Sequence, residues 1–210
     1  MIGALFRDVL VHLGVFRRSL PIDTVEAFDD FLATRASMIA QKKLYEYVKT
    51  RMGISYPRMF QDAPFIESLN IAKWRVYAAC LSDLAVWMGA QFHAAGATAE
   101  EAAALARHAF GRAIDERFRT GEFTGDADAI VEAFARRLAL ADWRLLAEGE
   151  SAFKLSPEQL VYWAPIADEL KRYDIDIVLN SLRFAWLAIR QEFRDKFKAE
   201  AVLVDWRGRG

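Results

Sequence analysis

Three histidines, His12, His93 and His108, and one cysteine, Cys80, are the side chains of this chain best suited to hold a metal or attack a substrate. Helical proteins often hold metals through Glu-x-x-His pairs, because residues three apart share a helix face. Val9, Ala90 and Leu105 stand three residues before the histidines, and no His-Glu-x-x-His run exists. A lone cysteine forms neither an intrachain disulfide nor a thiolate cluster, and covalent haem attachment needs a second one. The expectation is therefore no metal and no cofactor. Cys80 lies in an apolar helical stretch with no cation on its own face, the setting of an inert thiol. His108 shares a polar helix face with Arg112 and Asp115. An acyl hydrolase of the common kind needs Gly-x-Ser-x-Gly on a strand-to-helix turn. That motif is absent, and Ser37, Ser68, Ser82 and Ser181 fall inside helical repeats, where serine tends to bond to its own turn. Gly121-Glu122-Phe123-Thr124-Gly125 has no following lysine and no preceding strand, so it is no phosphate loop.

Two polar groups remain as candidate sites. Asn70, Arg75 and Asp83 interrupt the most apolar stretch of the chain, Ile66 to Phe92. A buried polar group without a partner costs about 1–3 kcal/mol. Either these three bond within the bundle and set helix register, the preferred reading, or they form a polar site inside it. The second group, Lys42, Lys43, Tyr45, Lys49, Arg51, Tyr56 and Arg58, gathers at the end of one helix. Cations there are favourable against the helix dipole. With the tyrosines they also make a candidate surface for an anionic or acidic partner, since Tyr and Arg are enriched at interface anchors.

These residues must be positioned by helices. Ile66 to Phe92 carries apolar residues on nearly every side, so other elements must surround it. Trp74, Tyr77, Leu81, Leu84 and Met88 supply bulk, and Ala72, Ala79, Val86 and Ala90 leave room for a close neighbour. Around it, helical repeats run from Val25 to Arg51, from Ala99 to Phe118, from Ile130 to Leu145, from Leu160 to Leu170 and from near Asp174 to Phe197. Thr24 and the Thr98-to-Glu101 capping box start two of them, and Gly53 stops one. Residues 2–16 form an amphipathic repeat, with Ile2, Leu5, Phe6, Val9, Leu13 and Phe16 on one stripe. Residues 201–210 read as a tail over the bundle. No stretch alternates long enough for a sheet. The expected fold is all-α: a single domain over 1–210, with six or seven helices around a buried central one.

Composition narrows the function. Hydrophobic residues make up 54%, enough for a core and too many for disorder. The formal net charge of −1 lacks the basic footprint of a nucleic-acid binder. Charges at Lys73, Arg75 and Asp83 keep the apolar stretch from spanning a membrane. The first residues lack the basic start of a signal peptide, and the lone cysteine suits a reducing compartment. Together with an excess of Arg over Lys and abundant Ala, typical of GC-rich codons, this points to a cytoplasmic bacterial protein. The expected function is that of a non-catalytic helical interaction or adaptor protein, with a protein partner or a second copy of itself. Residues 1–20 could also touch a membrane surface, but three arginines pull weakly at about 1 kcal/mol each, and protein packing is preferred. Two alternatives stand beside this. One is a carrier or sensor of a small apolar ligand beside Trp74, Tyr77 and Met88. The other is a hydrolase with an unrecognised site, for which Ser55, Ser82 and Ser151 are the serines to replace.

Overall fold

The computed structural model describes residues 20–121 and 126–209. The amphipathic repeat over residues 2–16, with His12, lies outside the described residues. Within them the fold is all-α, and the only β-type pairing is an isolated bridge between Ile22 and Phe197.

Helix α1 (Val25–Met52) starts where the Thr24 hydroxyl accepts the Ala27 N–H at 3.1 Å. It ends at Gly53, whose φ of 51° lets its N–H reach back to the Lys49 carbonyl. A 3₁₀ turn (Gly53–Ser55) and the single turn α2 (Tyr56–Met59) follow, and Met59 and Phe60 tuck against the core. Helix α3 (Ala63–Ala94) is the expected axis, but only in its second half. Every residue from Ala79 to Ala90 is buried. In the first half Ile66, Asn70, Ile71 and Arg75 are exposed and Trp74 is only half-buried, so the expectation that Trp74 is a core anchor is corrected. The reason is geometric: the flanking helices enclose α3 only beyond Val76.

Helix α4 (Ala99–Arg119) crosses α3 closely with an alanine face. A Cβ added at Gly89 would lie 3.2 Å from the Ala102 carbonyl oxygen and 3.2 Å from the Ala106 methyl. The sequence from Asp126 to Glu148 makes two helices, α5 (Ala127–Ala139) and α6 (Trp143–Glu148), where one was expected. Asp142 restarts the chain, its carboxylate accepting the Arg144 and Leu145 N–H groups. Helix α7 (Leu155–Trp163) stops before Pro165, and α8 (Asp168–Lys196) begins soon after it. The break thus falls at the proline, which cannot continue the hydrogen-bond ladder, and not near Asp174 as the repeat suggested. The described residues therefore hold more helical segments than the six or seven expected. Helix α8 runs antiparallel along α1: Arg51 grips Asp174, Lys43 donates to the Ser181 hydroxyl at 2.9 Å, and Arg35 Nε donates to Glu192 at 2.7 Å.

The C-terminal residues are no loose tail. They form α9 (Ala199–Arg207), with Val202 buried and Asp205 accepting the Val25 N–H at 2.7 Å. Arg207 Nε reaches Glu101 Oε1 at 2.7 Å, while the Thr98 N–H donates to Oε2 at 2.7 Å. The Arg207 guanidinium first, then the Thr98 N–H, hold the Glu101 carboxyl down at about 2 from an ordinary 4.5. A folded value below the unfolded one means the contact contributes above the ordinary value and is lost as pH falls toward 2. Carbon-detected NMR titration should find Glu101 ionising near 2, and Arg207→Ala should return it toward 4.5. A titration unmoved by that change would mean that Arg207 does not dock on Glu101.

Candidate functional site

Where four helices meet, α3 contributes Asp83, fully buried. Its Oδ1 accepts from Arg137 Nη1 of α5 at 2.7 Å, and its Oδ2 accepts from the Ser156 N–H at the start of α7 at 2.7 Å. Arg137 also donates to the Ser82 hydroxyl (2.8 Å) and to the Ala152 carbonyl (2.8 Å). Trp186 Nε1–H of α8 donates to Ser156 Oγ at 3.1 Å. Burial pushes the Asp83 carboxyl above its usual range, and Arg137 and the Ser156 N–H oppose that rise. Burial, reinforced by the Asp83 charge, also pushes the nearby Cys80 thiol well up, so it is no thiolate. The cluster joins a carboxylate, a hydroxyl and a thiol, yet Cys80, Asp83 and Ser156 expose nothing to a substrate. What this arrangement does is lock α3, α5, α7 and α8 into one register. Asn70 and Arg75 do not join it: Asn70 is exposed, and Arg75 lies over the Trp163 ring at 5.0 Å.

The basic end of α1 is divided in the same way. Lys43 and Arg51 face α8 as described, and Tyr56 packs edge-on against Phe60 at 5.0 Å. Lys42 lies 3.9 Å from Glu46, and Tyr45 is half-buried. Lys49 and Arg58 are exposed. Two of the five cations in that group, Lys43 and Arg51, therefore stitch helices together.

A third cluster lies at Asp29 of α1, buried beneath α4. Its Oδ2 accepts from Arg112 Nη1 at 2.9 Å and lies 3.2 Å from His108 Nε2, whose ring meets Trp206 edge-on at 5.8 Å. Burial raises the Asp29 carboxyl against the pull of His108 and Arg112. This is half of a hydrolytic relay, but among the described residues no hydrogen bond joins a histidine to a serine, threonine or cysteine. His93 Nδ1 lies against the Ala97 carbonyl at 2.8 Å, and Ser151 donates to the Leu145 carbonyl at 2.8 Å. No group of three or more His, Cys, Asp or Glu capable of holding a metal occurs among the described residues. Beside Trp74 and Tyr77 there is a cavity of about 10 Å³, lined also by Ser37, Gln41, Lys73 and Arg117. That is space for about one water.

An exposed apolar stripe on α8 was not expected from the sequence. On α8, Val178, Leu182, Trp186, Ile189 and Phe193 face the core. On the opposite side Tyr173, Ile177 and Phe184 are 79%, 70% and 72% exposed, with Leu170 and Leu187 beside them. At about 100° per residue these five share one stripe. The signal was present as a second apolar phase, masked by the stronger inward one. No protein-family model, no curated protein and no solved structure matches this chain. Among the described residues, no helix is long and apolar enough to cross a membrane.

Proposed function

We propose that this chain is a non-catalytic, cytoplasmic interaction protein whose working surface is the outer stripe of α8. The observation that carries this is the set Leu170, Tyr173, Ile177, Phe184 and Leu187, large and apolar at helical spacing, left in water by the fold. A patch of this kind, rimmed by Arg172, Asp176 and Arg183, marks a protein contact more often than an idle surface. Spacing of i, i+3 and i+7 is how one amphipathic helix presents itself to another. The clusters at Asp83 and Asp29 support the same reading, because each spends its polar groups on joining helices. The one-water cavity favours a binding face over an internal ligand pocket.

The test uses the tagged full chain as bait beside its Phe184→Glu and Lys42→Glu variants. Phe184 is exposed, so its replacement should shift stability by no more than about 0.5 kcal/mol. A protein retained by the parent and by Lys42→Glu, another copy of this chain included, should be lost with Phe184→Glu. Identical sets retained by all three would overturn the reading.

A further inference from the structure

We infer that the α8 stripe takes the same stripe of a second copy of this chain, laid antiparallel across it. This rests on the reading of the stripe as a helix-docking face and names its partner. Leu170, Tyr173, Ile177, Asn180, Phe184 and Leu187 follow one another at steps of three, four, three, four and three residues. That alternation is the seam of a coiled coil, whose members all face one partner helix. All six are exposed.

The seam is its own complement. With a two-fold axis between Val178 and Leu179, Leu170 lies opposite Leu187 of the second copy, Tyr173 opposite Phe184, and Ile177 opposite Asn180. The two Asn180 side chains then fall on either side of the axis, about 4.5 Å apart along it at 1.5 Å per residue, where one amide can bond the other. A single asparagine in a seam fixes its register. Charge fixes the direction. Asp176 and Arg183 flank the seam on one side, each a single residue before a seam position. Both are exposed, and neither has an ion-pair or hydrogen-bond partner among the described residues. In the antiparallel register Asp176 of each copy comes beside Arg183 of the other, and two opposite-charge pairs close. In a parallel register Asp176 would meet Ser181 and Arg183 would meet Ala188, so no such pair would form. One helix on one helix is at the small end of specific interfaces, below about 1,200 Å² in total, so the pairing is reversible. The inner face of α8 closes the core without the second copy. Phe184→Glu therefore removes the pairing and leaves the stability of the single chain within the range given above.

Sedimentation equilibrium of the full chain from about 1 μM to about 1 mM, the span of a weak contact, should show a reversible monomer–dimer equilibrium. Phe184→Glu should leave monomer alone. Asp176→Arg and Arg183→Asp should each weaken pairing about tenfold or more, because two repulsive contacts replace two attractive ones. The chain with both changes should pair as the parent does. So should an equimolar mixture of the two single variants, in which opposite charges face each other again. Far-UV circular dichroism checks that each variant is folded. A parent monomeric across that range would overturn the inference. So would a dimer indifferent to Phe184→Glu or to the single charge changes, or one that they weaken and the mixture does not restore. If the parent stays monomeric while the bait experiment still returns a protein lost with Phe184→Glu, the self-pairing falls and the interaction reading stands.

Discussion

Asp83→Ala should destabilise the protein by about 3–5 kcal/mol, the range for breaking a buried ion pair from one side. The effect is large because the site is closed to water, and removing Asp83 strands the Ser156 N–H and leaves the Arg137 guanidinium, still held by Ser82 and Ala152, without its counter-charge. Arg137→Ala should act in the same direction, leaving the carboxylate to Ser156. The pair is nevertheless costly to bury. The Asp83 carboxyl sits above its ordinary value, so the native state holds its proton more tightly than the unfolded chain does. Its contribution to stability therefore falls as pH rises from the ordinary value of 3.8 through the raised one. It follows that Asp83→Leu combined with Arg137→Met should recover much of the loss, as apolar replacements of whole buried pairs often do. Urea unfolding of Asp83→Leu, Arg137→Met and the double variant measures the cycle. A double variant as unstable as the sum of the singles would mean that the hydrogen bonds to Ser82, Ala152 and Ser156 matter more than the charge.

Leu81→Ala should cost about 2–5 kcal/mol. Leu81 is fully buried on α3, in the stretch from Ala79 to Ala90 that contacts the surrounding helices on all sides. Such a site cannot collapse readily, because the neighbours are themselves held by other helices, so the cavity persists and the loss falls within or above the middle of that range. The contrast with Phe184→Glu is the sharper check. Both positions carry large apolar side chains on long helices, and only burial separates them. Thermal or urea unfolding should show a large loss at Leu81 and almost none at Phe184. A Leu81→Ala variant less than about 1 kcal/mol weaker, below the cavity range, would mean that α3 is not the packed axis described.

The all-α architecture and its axis were legible in the sequence because they depend on local pattern. Apolar residues all around Leu81 to Ala90 dictate enclosure whatever encloses them, and Thr24, Gly53 and the Thr98–Glu101 box act through bonds to neighbours a few residues away. The need for a partner at Asp83 was equally local, since a carboxylate in an apolar stretch must be paired. Which partner it takes was not. Arg137 and Ser156 lie 54 and 73 residues away, and only the packing of α5 and α7 on α3 brings them there. The same holds for Lys43 and Arg51, which resemble a basic surface in sequence and become stitches to α8 in space. AVLVDW near the C-terminus is strand-like in composition, but docking of Val202 and the Asp205 bond to the Val25 N–H make it a helix. The outer face of α8 shows the limit most clearly. Its two apolar phases are written in the sequence, but a sequence does not say which phase finds a core. Tertiary packing decided that, because α1 and α7 have room for only one of them.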